Sequence, residues 1–242
     1  MRKILAYPLT VIYFVFFGLA LVVFHPIQWI CLNLFGYTAH KGSVSLLNWC
    51  LVRCTHILGT TYSFKIPSDI PENTPLIIVA NHQSMNDIPP IIWFMRKYHP
   101  KFVSKIELGK GIPSVSFNLR HGGSVLIDRK DSRQALAQIA KLGKYIEEHN
   151  RSAVIFPEGT RSRTGKPKKF QPMGLKILLR NAPSAYIVPI SINNSWKMLQ
   201  YGKFPYGIGN HLTFRVHSAI ENKGNVDELI AQTEQRVNAG IV

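Results

Sequence analysis

Three spacings of apolar residue succeed one another along the chain. From Ile4 to Ala39 no Asp, Glu, Lys or Arg interrupts the apolar pattern. Its first part, Ile4 to Phe24, is ~31 Å long as a helix, enough to cross a bilayer core. His25-Pro26 interrupts the run, and the stretch from Ile27 to Tyr37 is too short to span alone. Gly42 to Leu58 then spaces Leu46, Leu47, Cys50, Leu51 and Cys54 along one side of a helix.

From Gly59 onward the runs shorten. Gly59 to Phe64, Leu76 to Ala80, Lys101 to Ser104, Ser124 to Ile127, Ala153 to Phe156, Ala185 to Ile190 and Leu212 to Val216 read as strands. Between them, Ile91 to Tyr98 suits a short helix. Arg133 to His149 suits a longer one, N-capped by Asp131-Ser132, with Leu136, Ile139, Leu142 and Ile146 on one face. Asn225 with Glu228 predicts the start of a last amphipathic helix. Strands alternating with helices predict an α/β domain over 59–242. Residues 1–58 are expected to form a membrane-associated element preceding it.

A secretory signal peptide has a comparable layout, with Arg2-Lys3 as its basic start. Here, however, apolar residues continue past Gly18-Leu19-Ala20 through Leu21-Val22-Val23-Phe24, which favours membrane insertion. Basic residues flank both ends, Arg2 and Lys3 before, Lys41 and Arg53 after, so a single crossing has no preferred orientation. A hairpin that enters and returns puts both flanks at one surface, and is the expectation carried forward. Cys31, Cys50 and Cys54 all lie in this region; an odd count without His partners predicts packing rather than a disulfide framework or a metal site.

Composition narrows the partners. Charged residues make up only 17% of the chain, and the formal net charge is +16. Such an excess suits nucleic acid, a lipid surface or a phosphorylated substrate. No acid precedes Asp69, and none lies between Glu158 and Glu221. Nucleic-acid binding does not require so long an apolar segment, so a membrane with anionic lipids is the expected partner and nucleic acid is not.

Two loops carry the candidate chemistry. Asn81-His82-Gln83-Ser84-Met85-Asn86-Asp87 follows the run Leu76–Ala80, and Phe156-Pro157-Glu158-Gly159-Thr160-Arg161 follows the run Ala153–Phe156. Loops leaving the ends of buried strands are where open α/β sheets keep their sites. His82 and Asp87, five apart, can meet only across a turn, which Ser84, Asn86 and Pro89-Pro90 favour. A carboxylate on one imidazole nitrogen leaves the other free to accept a proton. No Ser or Cys nucleophile accompanies the pair; Ser84 lacks the Gly-x-Ser-x-Gly elbow, so the substrate's own hydroxyl is the expected nucleophile. Without a third and fourth ligand, the pair is a poor zinc site.

In the second loop Arg161 suits a bidentate clamp on a phosphate, and Gly159 its close approach. Glu158 is expected to hold a basic side chain or a substrate hydroxyl. A turn in which Glu158 merely pairs with Arg161 is the plainer alternative. Gly159 to Lys166 mimics a P-loop, but its glycine spacing is wrong and Pro167 stands where a hydroxyl residue is needed.

At these residues the sequence resembles the glycerolipid acyltransferase family, specifically its lysophosphatidic acid acyltransferases. Four blocks carry the likeness in order: Asn81-His82-Gln83-Ser84 through Asp87; Gly123-Ser124-Val125-Leu126-Ile127-Asp128-Arg129; Phe156 through Ser162; and Val188-Pro189-Ile190. Ser104-Lys105-Ile106-Glu107-Leu108 and Ile112-Pro113 add to it. Leu126 stands where the family usually has an aromatic, a change expected to reshape the wall beside the substrate.

The resemblance implies a mixed α/β sheet layered with helices, preceded by a membrane-inserted two-helix element. It implies catalysis by His82 oriented by Asp87. Acceptor binding would fall to Lys105, Gly123, Arg129, Glu158, Gly159, Thr160 and Arg161. The implied reaction moves an acyl group from a coenzyme A or acyl carrier protein thioester to lysophosphatidic acid, with no cofactor and no metal. Glycerol 3-phosphate or another lysophospholipid remains an alternative acceptor, and a non-catalytic basic lipid- or nucleic-acid-binding protein an alternative class. The resemblance also implies a membrane location, with the α/β domain on the cytoplasmic face. The stretch Asn193 to Asn210, with Trp196, Tyr201, Phe204 and Tyr206, is not diagnostic and is read as an interfacial loop.

Overall fold

The computed structural model describes residues 2–242. Helix α1 (Arg2–Cys54) is broken only at Gly36, whose backbone (φ 77°, ψ −167°) lies in a region open essentially to glycine alone. Leu21 and Phe24 before the break pack with Leu47 and Leu51 after it. Those pairings centre on Gly36, so the two arms run antiparallel as a hairpin. The expected interruption at His25-Pro26 does not occur. The helix passes through Pro26 while Ser114 Oγ donates to the Leu21 carbonyl (2.5 Å) and the Ser114 amide donates to His25 Nδ1 (3.1 Å). A hydroxyl supplied from outside thus serves a carbonyl beside the turn that proline loosens.

The remaining elements are β1 (Thr61–Lys65), β2 (Leu76–Ala80), α2 (Ile88–Phe94), β3 (Pro100–Lys105), α3 (Val115–His121), β4 (Val125–Ile127) and α4 (Ser132–His149). They continue with β5 (Ser152–Ile155), α5 (Pro172–Asn181), β6 (Tyr186–Asn193), β7 (His211–Val216), β8 (Ile220–Glu221) and α6 (Val226–Ala239). One mixed sheet runs in the order β1-β7-β6-β2-β5-β3-β4, with β8 beside β6. β6, β2, β5, β3 and β4 are mutually parallel, whereas β7 turns antiparallel to β6. All five residues of β2 are buried, as a strand covered on both faces requires.

The period of two sorts the core into layers. Leu76, Ile78 and Ala80 face one cluster with Tyr13 and Val44 of α1 and Ile91 of α2. Ile77 and Val79 face the other, with Ile139, Leu142 and Ile146 of α4, Leu175 and Leu178 of α5 and Leu229 of α6. Asp131 caps α4 by accepting from the Gln134 amide (2.9 Å), and Asn225 caps α6 by accepting from the Asp227 amide (2.8 Å). Neither α3 nor α5 was expected. α5 hides its period in ten residues, but Pro172 at its first turn and Leu175, Leu178 and Leu179 buried at i, i+3 and i+4 account for it.

The first arm of α1 is apolar all round yet buries a single stripe, Ala6, Thr10, Tyr13, Leu21, Phe24 and Gln28. Ile4, Leu5, Val11, Val15, Phe16, Leu19, Val22 and Val23 remain exposed. The arm and the return helix are long and apolar enough to count as a candidate membrane segment. A Cβ at Gly36 meets nothing within 4 Å, so Gly36→Ala carries only backbone strain. Its expected cost is roughly 1–3 kcal/mol, read as a lower melting temperature in detergent. An unchanged melting temperature would show that the hairpin does not depend on this glycine.

Candidate active site

β2 and β5 are hydrogen-bonded neighbours, so the loops that leave their C-terminal ends emerge side by side. In the first loop, Asn81 extends the ladder past the end of β2. Its side chain donates to the Ile192 carbonyl (2.9 Å) and accepts from the Ile192 amide (2.7 Å), taking the place of a backbone pair. The chain then turns, and Asp87 folds back. Asp87 Oδ2 accepts from His82 Nδ1 (2.7 Å), the Gln83 amide (2.7 Å) and the Ser84 amide (2.9 Å), and Oδ1 accepts from Ser195 Oγ. Asp87 is fully buried.

Four donors converging on one carboxylate mark it as ionised, so Nδ1 of His82 carries the hydrogen. Nε2 then keeps its lone pair; it has no hydrogen-bond partner among the described residues, and His82 lines a large cavity. Phe156 lies face to face with the imidazole, with ring centres 4.1 Å apart and planes 17° apart. Such a face favours the imidazolium that proton uptake creates.

The second loop grips the first. The His82 amide donates to Glu158 Oε1 (3.1 Å), and the His82 carbonyl accepts from the Ser162 amide (2.7 Å). Glu158 is 5% exposed, and its Oε2 has no partner among the described residues. Burial pushes its carboxyl up to about 7, against the opposing pull of the His82 amide.

The cavity holds about 1160 Å³. Lys105, Arg129, Arg161, Arg163, Lys166, Lys168 and Lys203 reach it, and among the described residues no Asp or Glu does. Phe102, Val103, Leu108, Ile127, Leu136 and Ile139 provide an apolar wall. The site is thus cationic at one part and greasy at another.

Of the residues singled out in the sequence, His82, Lys105, Arg129, Gly159, Thr160 and Arg161 line this cavity, with Asp87 directly behind His82. Lys105 pairs with Glu107 at 2.8 Å in an exposed position, and Thr160 Oγ1 accepts from Lys168 Nζ at 2.8 Å. Gly159 is required by its φ of 69° rather than by crowding, since a Cβ there would meet nothing nearer than Gln171 Cγ at 4.0 Å.

Three expectations need correction. Gly123 does not line the cavity: at φ +89° it lies under Tyr145, whose hydroxyl a Cβ would meet at 2.6 Å. Glu158 forms no ion pair among the described residues and does not line the cavity; its Oε1 instead accepts from the His82 amide. Nor does it pair with Arg161. Leu126 points away from the cavity onto Gly109 and so cannot shape the wall.

Ser195 was not anticipated. It lies just past the end of β6, in the stretch read as an interfacial loop, and also bonds Ser84 Oγ at 2.5 Å. That stretch touches both the apolar helix and the domain: Tyr206 is buried against Tyr13 of α1, and Trp196 packs under Gly165. Only the pairing of β6 with β2 brings Ser195 beside Asp87, and no local pattern announces it.

Because the Glu158 carboxyl is raised in the fold, the native state binds its proton more tightly than the unfolded chain. Stability should therefore fall as pH rises from about 4.5 to about 7. Glu158→Gln is expected to flatten that decline in melting temperature. Parallel profiles for the two proteins would mean that Glu158 titrates normally.

The sequence profile described as Acyltransferase matches residues 62–193, more than half of the chain. The chain is similar to the 1-acyl-sn-glycerol-3-phosphate acyltransferase of Helicobacter pylori strain J99. The two are 38% identical over 135 residues, which cover 52% of this chain and 54% of that one. It is also similar to such an enzyme of Chlamydomonas reinhardtii, with 28% identity over 71% of this chain and 50% of the relative. The chain spans about half the length of these two curated relatives. Among solved structures it resembles the 1-acyl-sn-glycerophosphate acyltransferase PlsC of Thermotoga maritima. That match has a TM-score of 0.84 and 25% identity, and covers 100% of this chain and 96% of the other. With both loops inside the matched region and this architecture around them, the chain belongs to the acyltransferase family.

Proposed function

We propose that the protein transfers an acyl group from a thioester to the free hydroxyl of lysophosphatidic acid, producing phosphatidic acid. The observation that carries the proposal is the Asp87–His82 pair, whose free Nε2 faces an acid-free cationic cavity. In this reading Nε2 takes the proton of the acceptor hydroxyl as its oxygen attacks the thioester carbonyl. The carbonyl–sulfur bond then breaks, and the departing thiolate receives the proton from the imidazolium. Asp87 holds the ring in the required tautomer and balances the transient charge. Ser195 and the Gln83 and Ser84 amides hold Asp87 in turn.

Arg161, Arg129, Lys105 and Thr160 take the acceptor phosphate; among the described residues no carboxylate lines the cavity, and Lys105 exchanges its Glu107 partner for the phosphate. The apolar wall from Phe102 to Ile139 takes an acyl chain. The similarity to acyltransferases named for 1-acyl-sn-glycerol-3-phosphate supports this choice of acceptor. The donor is an acyl thioester of coenzyme A or of acyl carrier protein.

Residues 1–58 serve, in the same proposal, as a membrane element, and 59–242 as the catalytic domain on the cytoplasmic face. The support is the exposed apolar surface of α1, together with its placement: Tyr7 packs edge-on against Phe204 (5.5 Å), and Lys203 of that loop reaches the cavity. A lysolipid lying in the leaflet would therefore meet the mouth directly.

With purified protein, lysophosphatidic acid and a labelled acyl thioester, His82→Ala is expected to lower kcat by more than about 10²-fold. A loss of less than about threefold would remove His82 as the base. Arg161→Ala is expected to raise the acceptor KM, with a smaller change in kcat. A normal acceptor KM would remove the guanidinium from phosphate binding.

A further inference from the structure

Four cations gather at the end of the sheet away from His82, where no step of the proposed chemistry needs them. Lys101 lies near the start of β3, Arg151 immediately precedes β5, Arg96 begins the turn before β3, and Lys41 follows the Gly36 break in α1. Lys101 is level with Ala153 and, through it, with Ile77. His82 lies five residues beyond Ile77, roughly 16 Å along the strand direction. The cluster is therefore separate from the catalytic cavity.

Tyr37 and His99 tie the cations together. Lys41 Nζ is 3.2 Å from His99 Nε2, and the Tyr37 hydroxyl is 2.9 Å from His99 Nδ1. An ammonium can only donate, so Nε2 accepts, and Nδ1–H donates to the Tyr37 oxygen. His99 is thus held neutral, in keeping with burial and neighbouring cations pushing it down to about 4. The Arg151 guanidinium lies 3.7 Å and the Lys101 ammonium 4.9 Å from the centre of the Tyr37 ring. Lys101 is only 6% exposed, and its ammonium has no hydrogen-bond partner among the described residues. None of the four cations is paired with an acid among the described residues.

Burial, with Arg151 and Lys41 alongside, lowers the Lys101 ammonium to about 7, a cost that an anion held between these side chains would relieve. Lys41, Arg96 and Lys101 line one cleft of about 20 Å³. The surroundings indicate the anion's source. Exposed Trp29, Ile30, Leu34 and Phe35 lead up to the break. Arg96 and Arg53 stack on Trp93 and Trp49 at 4.1 and 5.4 Å. Indole rings and basic side chains beside an exposed apolar run characterise the edge of a bilayer.

We infer that this cluster binds the phosphate of an anionic phospholipid at the membrane surface, and so seats the hairpin turn. The inference rests on the membrane reading of α1 and is independent of the catalytic one.

The test measures binding of the full chain to phosphatidylcholine vesicles with or without phosphatidylglycerol, which is neither acceptor nor product. Lys41→Gln/Lys101→Met is expected to lose roughly tenfold of the gain in affinity that phosphatidylglycerol confers. Binding to phosphatidylcholine alone, and acyl transfer in detergent, should stay at the wild-type level, which also shows that the variant is folded. Lys65→Gln/Arg180→Gln, an equal charge change at exposed positions elsewhere, should keep the gain.

Equal losses in both double variants would reveal diffuse attraction and overturn the site, as would an undiminished gain in the first. If inorganic phosphate, rather than phosphatidylglycerol, protects wild type but not Lys41→Gln/Lys101→Met against thermal unfolding, the ligand is a free anion and the lipid assignment falls. If wild type ignores all vesicles, the membrane reading fails and takes this inference with it. Inactive protein that still binds vesicles as expected would count only against the proposed reaction.

Discussion

The backbone of His82 is pinned on both sides by the loop that follows β5: its amide by the Glu158 carboxylate, its carbonyl by the Ser162 amide. Everything else at the site depends on this clasp. It exists because β2 and β5 are parallel neighbours in register, which brings residues some seventy positions apart to the same end of the sheet. Asp87 then sets the ring, and Phe156, at the root of the second loop, backs it. A rigid strand pair thus supplies the precision that a loop alone lacks.

The clasp also explains the position of Glu158. A carboxylate on the cavity wall would repel an incoming phosphate. Turned inward onto an amide, the same group steadies the His82 backbone and leaves the charged part of the wall cationic. The cost is desolvation, visible in its raised pKa. Arg161, only three residues on, faces the cavity, so the tight turn at Gly159 separates the buried acid from a guanidinium on the cavity wall.

What the sequence disclosed follows physical range. β2 and β5 were legible because strands buried on both faces must be apolar and β-branched throughout. The meeting of His82 and Asp87 was legible because it is local, closed by a turn whose residues announce it. Glu158 and Gly123 were misplaced because their orientation depends on what lies across the fold, the His82 amide in one case and Tyr145 in the other. Ser195 reaches Asp87 across 108 positions of chain, and no periodicity encodes such a contact. Pro26 looked like the stronger helix breaker, yet Ser114 relieves its turn, while Gly36 breaks the helix by adopting an angle pair that other residues avoid.

A cavity walled by seven bases and no acid does not stand bare in solution. Mobile anions from the solvent partly neutralise it, and any anionic ligand that enters must displace them into the bulk. Part of the drive for capture is then the entropy of those released counter-ions. Attraction of an anion to the mouth therefore weakens as salt is added, even where the contacts available inside the cavity stay the same.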